Sequence, residues 1–514
     1  MAIDLGIGIP RIEINTSRLP SDQALARIAG GSTLLFVVTL LGLGLNYLYS
    51  IVLARVMGPE QFGFYALGLG CFNLLSVIAL AGLDTAVLRF VPTMRIQSDV
   101  AGVGRIIRAA LILAAGLGVI SAGGLLLSSD TLATRFFHND ETSSVLKLFA
   151  LSIPLLVVST VALATLQAFR EVRWRISIKY LCEPVVKVAV TLALVWWGWG
   201  LTSALVALPV ALGLTTIFAI LPLHRLLSNG NDARPSGIAY REVVLYSLPL
   251  LGGLVFNGLA TRSDVLLLGY WSSLEDVGIY SAAFQTSAIM ALVLGTLESI
   301  ATPFLSESIS KNDPSQIRSL TGTVLRWTVT GTLPLCIVMA VFAKDIMSLF
   351  GNQFESGAVC LIILAVGQFI YSVTGCSHGM LLWAGHSKLV MWNSIAVSAV
   401  QIGLYLILIP SYGIVGATLA TSASLVLTVI LRTVQVHHIL DIWPFDSTIY
   451  KPLVAGAAAL SLVLTIKYVP LLSHVAVLLG FFILSYVGFL FALGLHEGDR
   501  AVLLQLKRRF NQFT

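Results

Sequence analysis

Fourteen mostly apolar blocks run through the 514-residue chain, each close to the ~20 residues that carry a helix across ~30 Å of hydrocarbon. They lie near 32–56, 64–88, 106–128, 147–168, 177–198, 202–223, 243–269, 279–304, 324–349, 358–383, 389–409, 414–436, 452–469 and 472–494. Few folds accommodate such a pattern. With 57% hydrophobic and only 11% charged residues, the chain cannot give a water-soluble fold its polar skin, since soluble domains carry roughly 25% charge. The mean hydropathy of +0.91 agrees. The sequence therefore predicts an all-α, polytopic membrane protein of about fourteen transmembrane helices.

The basic residues orient it. With the N-terminus in the cytoplasm, 24 of the 31 lysines and arginines fall on the inner side and five on the outer ends, as the positive-inside rule requires. Dropping or doubling an early helix would put every later loop on the wrong side. Both termini are thus predicted to be cytoplasmic, in a cell inner (plasma) membrane. The net charge of +6 needs no nucleic-acid partner, because anionic lipid headgroups attract cytoplasmic basic loops by about 1 kcal/mol per residue.

Other classes are argued against by what the residues lack. The first 31 residues are polar, contain Pro10 and Pro20, and do not read as a cleaved signal peptide. The five cysteines, Cys71, Cys182, Cys336, Cys360 and Cys376, sit in apolar helices without a CxxC pair and read as free thiols. Scattered histidines predict no metal site. The pairs Gly42/Gly44 and Gly68/Gly70 lie inside spans, with no strand-to-helix turn, and there is no P-loop, so neither a nucleotide nor another cofactor is expected. Trp196, Trp197 and Trp199 read as an interfacial aromatic belt. Pro154, Pro249 and Pro334 mark helix kinks or hinges.

Two halves are related. Gly58-Pro59-Glu60-Gln61-Phe62-Gly63-Phe64-Tyr65 and Ser272-Ser273-Leu274-Glu275-Asp276-Val277-Gly278-Ile279-Tyr280 both place an acidic residue ahead of Gly-x-Tyr, between the first two helices of a half. Halves with the same order of orientations form a parallel repeat around a central cavity, an arrangement of rocking transporters. The divisions are an N-terminal segment (1–31), a first six-helix lobe (32–224), a cytoplasmic linker (225–241), a second six-helix lobe (242–437), two further helices (438–495) and a basic tail (496–514). The longest outer loop expected is 129–144, with Asp130, Asp140 and Glu141, which is thin support for a catalytic function.

The order of Gly58-Pro59-Glu60-x-Phe62-Gly63-x-Tyr65, Gly82-Leu83-x-x-Ala86-x-x-Arg89, Tyr246-Ser247-x-Pro249-Leu250, Asp264-x-x-x-Leu268-Gly269 and Leu349-Phe350-Gly351-x-x-Phe354 resembles the polysaccharide-transporter (Wzx-type) flippases of the multidrug/oligosaccharidyl-lipid/polysaccharide exporter superfamily. Each motif is degenerate; their order and spacing over nearly the whole chain carry the resemblance. It implies alternating-access flipping of a polyprenyl-diphosphate-linked oligosaccharide, with no enzymatic step. A polysaccharide polymerase and glycosyltransferases would be the partners implied. A cation-coupled multidrug-type exporter is the alternative, although such proteins usually carry a carboxylate in the first helix, where this chain offers Asn46. An integral-membrane polymerase or glycosyltransferase is a more distant one.

Ionisable groups within spans are the functional candidates, because each costs several kcal/mol unless paired or wet. Arg262, Lys187, Asn46 and Asn257 are the candidate substrate contacts. Asp264, Glu183 and Glu298 are candidates for ion coupling or gating. Asp264 continues a polar stripe with Asn257 and Thr261, which places it on the cavity side. Arg262 lies about 200° round the helix from it and needs an interhelical partner, a substrate phosphate or a path to the interface. A guanidinium in the cavity would match a diphosphate with two oxygens at once. Glu183 and Lys187, four apart, share a face and either neutralise each other or open to release the lysine. Gly42, Asn46 and Ser50 form a small-residue stripe suited to helix packing or, through Asn46, to a sugar. Glu298 has no local partner.

Overall fold

The structure is a computed structural model that describes residues 22–96, 100–228, 258, 262–443, 449–466 and 475–494. Among the described residues there is no strand, and short turns join the helices. Eight of these helices are long and apolar enough to cross a membrane, and two shorter apolar ones, Tyr450–Thr465 and Val477–Ala492, follow. The protein is thus a multi-pass, all-α membrane protein. Asn257, Pro249 and most of the linker 225–241 lie outside the described residues.

Two helices are longer than any single span. Helix α1, Asp22–Leu80, bends at Gly58 (φ 76°, ψ 173°), and only a glycine adopts that backbone without strain. Pro59 starts the second arm, where its missing N–H costs nothing. Helix α15, Ser387–Leu440, bends in the same manner at Gly413 (φ 54°, ψ −130°). Each bend replaces the loop expected between two apolar blocks. The side carrying both bends is called here the bend face, and the opposite side the loop face.

Between these helices run α2 (Leu83–Ile96), α3 (Val100–Thr131), α4 (Glu141–Ala168), α5 (Val172–Ile176), α6 (Glu183–Trp196), α7 (Leu201–Ser228), α8 (262–271), α9 (Leu274–Ser287), α10 (Ile289–Ser310), α11 (Pro314–Val341), α12 (Ala343–Ser348), α13 (Ala358–Ser372) and α14 (Ser377–Trp383). The last two are α16 (Tyr450–Ile466) and α17 (Val475–Ala492). One expected loop is largely helical. Helix α3 continues to Thr131 and then widens into a π turn, Leu132–Phe136, so only a few residues of 129–144 are irregular. Asp130 there pairs with Lys147 at 2.7 Å and with the Ser143 hydroxyl, which accounts for its charge structurally. Trp196, Trp197 and Trp199 are exposed, as a lipid-interface belt requires. All five cysteines are free.

The two copies of the repeated motif touch each other. They lie 215 positions apart, Pro59 matching Leu274, Gly63 matching Gly278 and Tyr65 matching Tyr280. A Cβ on Gly63 would overlap the Leu274 carbonyl, and one on Gly278 would overlap the Pro59 carbonyl. Residue i meets j′ while i′ meets j, the signature of a two-fold contact, here within one chain. Phe62 packs edge-on against Phe354 at 6.0 Å and Tyr47 against Phe350 at 5.9 Å, extending the seam. Tyr47 also hydrogen-bonds Thr286 across it at 3.0 Å. Along the neighbouring flank, Gly269 abuts Leu67 and Gly258 lies beside Leu74 and Val77. The bend face is therefore closed by main-chain and aromatic contact between the lobes.

Candidate functional site

Polar side chains inside an apolar bundle persist where they satisfy one another. Three such constellations occur among the described residues, one in the first lobe and two in the second.

The first forms where α1 meets α5–α6. A π turn, Ser177–Cys182, joins those two helices and pushes its backbone outward against α1. Gly42 admits it, since a Cβ there would overlap the Tyr180 carbonyl. The stripe Gly42–Asn46–Ser50 thus does pack helices, yet Asn46 does more. Its amide nitrogen donates to the Gly42 carbonyl at 2.9 Å, leaving its oxygen to accept from Lys187 Nζ at 3.1 Å. Lys187 also meets Glu183 at 3.1 Å, and Glu183 takes a second cation, Lys179, at 2.8 Å. Glu183 and Lys187 are both buried, while the Lys179 side chain is 38% exposed. The cluster carries two cations on one carboxylate. It is a net positive site inside the protein, with one ammonium held deep and one at the edge.

The second constellation surrounds Asp264. This residue is 3% exposed and sits inside the second lobe. Tyr280 of α9 donates to its Oδ2 at 2.9 Å, and the Val265 N–H is 2.7 Å from Oδ1. From Tyr280 the network runs to Thr421 (3.1 Å), on to Tyr405 (2.9 Å), and ends at Gln401, whose amide donates to the Tyr405 hydroxyl at 2.7 Å. Thr421 and Tyr405 come from the two arms of α15, each eight residues from the Gly413 bend. Arg262 is half-buried and acts electrostatically on Asp264.

The repeat relates this constellation to the first lobe. At the 215-residue offset, Asp264 matches Tyr49 and Tyr280 matches Tyr65. Tyr49 bonds Thr191 at 3.1 Å and also Tyr65. Both lobes thus hold a buried tyrosine node at the same register, but only the second has a carboxylate there. Arg262 matches Tyr47, the residue that reaches across the seam to Thr286.

The third is a cavity of about 220 Å³ in the loop-face half of the second lobe. Tyr371 of α13 and Asn393, Ser398, Gln401, Thr428 and Arg432 of α15 supply its polar lining. Arg432 donates to the Tyr371 hydroxyl at 3.3 Å, and its guanidinium stands 5.8 Å from the ring centroid. Asn393 and Gln435 exchange two amide hydrogen bonds, at 2.5 and 2.9 Å. Glu298, half-buried on α10, and His378 lie within electrostatic reach of Arg432. Glu298 thus faces a cation from a distant helix.

Of the seven candidates named from the sequence, Lys187, Asn46 and Glu183 meet in one cluster and Arg262 and Asp264 in another. Glu298 stands apart from both, and Asn257 is outside the described residues. Sequence reasoning missed Lys179, Tyr280, Tyr405, Thr421 and Gln401. The repeat offset was a usable signal for Tyr280, because it sits in the repeated motif itself.

Known proteins resemble this chain along most of its length. The family described as "Polysaccharide biosynthesis protein" matches residues 52–358. The chain is 25% identical over 414 residues to a probable low-salt glycan biosynthesis flippase of Haloferax volcanii, covering 79% of this chain and 82% of the relative. Over 357 residues it is 25% identical to a succinoglycan biosynthesis transport protein of Rhizobium meliloti, 68% of each chain. In structure it resembles the lipid II flippase MurJ in an inward closed conformation, with a TM-score of 0.69 at 14% identity, over 89% of this chain and 98% of that one. An inward-facing multidrug resistance transporter of the MATE family gives a TM-score of 0.66 at 15% identity, over 77% and 94%. At such identities these two structures show the fold.

Proposed function

Because the chain belongs to the polysaccharide biosynthesis protein family, we propose that it is a flippase that carries a polyprenyl-diphosphate-linked oligosaccharide across the inner membrane by alternating access. What carries the reading is the similarity, over two thirds or more of the chain, to proteins named as a probable glycan biosynthesis flippase and a succinoglycan biosynthesis transport protein. The cargo is an O-antigen, capsule or exopolysaccharide repeat unit, and both termini and the loop face are cytoplasmic. A polymerase and glycosyltransferases act on either side of the step. The lobes are 32–224 and 242–437, with the helices of 438–495 set beside them.

The buried constellations support roles for the candidates. Lys187 and Lys179 on one carboxylate offer excess positive charge to a diphosphate. Asn46, already bonded to Lys187, is placed to meet a phosphate or sugar oxygen beside it. Arg262, which shares a register with the seam residue Tyr47, is the second phosphate contact, and Asn257 is a third contact. Asp264 is the ion-coupling group of the second lobe. Glu183 and Glu298 gate, the first by releasing Lys187 and the second through Arg432. The MATE-like fold keeps a drug exporter as the second reading, but Asn46 stands where such a protein would place its first-helix carboxylate.

Reconstituted vesicles holding a fluorescent polyprenyl-diphosphate oligosaccharide test the proposal. Lys187→Gln and Arg262→Gln should lower flipping at least tenfold while the protein still elutes as a folded monodisperse species. Wild-type flux in both variants removes these residues from the mechanism, and no flux with wild-type protein removes the function.

A further inference from the structure

The hydrogen bonds around Asp264 have a direction, and they end at the wall of a cavity. Tyr280 must donate to the carboxylate, which only accepts. The Tyr280 oxygen is then free to accept from Thr421, and Thr421 to accept from Tyr405. The Gln401 amide in turn donates to Tyr405. Every hydroxyl in the series can point its proton toward Asp264, Thr421 doing so by turning its proton away from the Ala417 carbonyl, to which it also donates at 2.9 Å. Gln401 itself lines the 220 Å³ cavity, whose wall also carries Tyr371, Asn393, Ser398, Thr428 and Arg432. A cavity of that volume, with these polar groups on its wall, has room for several waters. The series crosses depth as well. Asp264 lies seven residues before the bend-face end of α8, whereas the cavity residues Asn393 and Arg432 lie within two or three turns of the loop-face ends of α15.

We propose that Tyr405, Thr421 and Tyr280 form a proton relay that connects Asp264 to the loop-face cavity while the bend face is closed. Gln401 is the door. When its side chain swings away, a cavity water takes its place on the Tyr405 oxygen. A hydronium in the cavity then gives a proton to Tyr405, Tyr405 passes its own to Thr421, Thr421 to Tyr280, and Tyr280 to the Asp264 carboxylate. Each hydroxyl regains the proton it gave, water is left behind, and the net change is one proton moved from cavity to carboxylate. Among the described residues, the ionisable groups acting on Asp264 are Arg262 on its own helix, Tyr280 on α9 and Tyr405 on α15. The glycine seam keeps the bend face shut in this conformation, so the relay gives Asp264 access to one side alone. Alternating access of a proton needs that one-sidedness, and the inference deepens the coupling role given above to Asp264.

The test follows Asp264 directly, independent of cargo. Infrared difference spectra after a pH jump on protein in lipid film report the protonated carboxyl band of Asp264, identified by its loss in Asp264→Asn. Tyr405→Phe and Thr421→Val should keep the band amplitude and slow its appearance at least tenfold. Thr421→Ser, which restores a hydroxyl, should recover the wild-type rate, and Gln401→Ala should match or exceed it. Wild-type rates in both Tyr405→Phe and Thr421→Val overturn the relay, as does a wild-type protein that shows no such band at any pH. Neither result depends on flipping, so failure of the relay and failure of the flippase reading remain separate.

Discussion

Substituting alanine for Gly278 perturbs the joint between the lobes without touching the polar sites. The added Cβ overlaps the Pro59 carbonyl and crowds the Gly63 nitrogen, both backbone atoms that no rotamer change can move. Overpacking of this kind costs typically 1–3 kcal/mol. Relief comes most readily by parting the two helices, which weakens the closed bend face and leaves each lobe's own core intact. A shift of ~1–3 kcal/mol changes the closed-to-open ratio by about five- to 150-fold. Spin labels at the exposed pair Glu60 and Glu275, in a background without the five native cysteines, report the separation by electron–electron dipolar spectroscopy. The variant should gain a longer-distance population that the parent protein lacks. Gly123→Ala, where a Cβ meets nothing within 4 Å, is the control and should leave the distances unchanged. A Gly278→Ala distribution that superimposes on the parent's, in protein that is folded, would refute the seam as the closing contact.

The charge cluster of the first lobe makes a separable prediction. Glu183→Gln strands the buried Lys187 without its carboxylate and should cost about 3–5 kcal/mol, read as a large fall in thermal midpoint in detergent. Adding Lys187→Met should recover most of that loss; additive losses in the double variant would mean that the two residues are independent. Asn393→Leu leaves the Gln435 amide unpaired and should destabilise by about 1–3 kcal/mol. The double replacement with Gln435→Leu should come close to the parent, and equal instability of single and double variants would argue against the pair.

Some of this was legible in the residues because it rests on local rules. Apolar blocks of bilayer length predicted helices, and the i, i+4 spacing of Glu183 and Lys187 predicted their pairing. The repeated Gly-x-Tyr motif predicted two related halves, and its two copies turned out to be the surfaces that meet. Lys179 was hidden because its charge counted toward a cytoplasmic loop, whereas the π turn draws it back toward Glu183. Asn46 and Lys187 are 141 positions apart, so only folding brings them together. Tyr405 and Thr421 were invisible for another reason: a tyrosine or threonine in an apolar block is ordinary helix filler until a carboxylate is seen to depend on it. The bends at Gly58 and Gly413 escaped notice because a loop and a kink between two spans leave the same trace in hydropathy.

The match of Asp264 to Tyr49 has a mechanical consequence. At the seam the two repeats meet in matched fashion, each glycine against the other's main chain. In charge they are not matched, since at this register one half holds an acid and the other a phenol. If Asp264 takes up the proton proposed for it, acidity works at this register on a single half, turning an otherwise balanced rocker into a ratchet with one powered side.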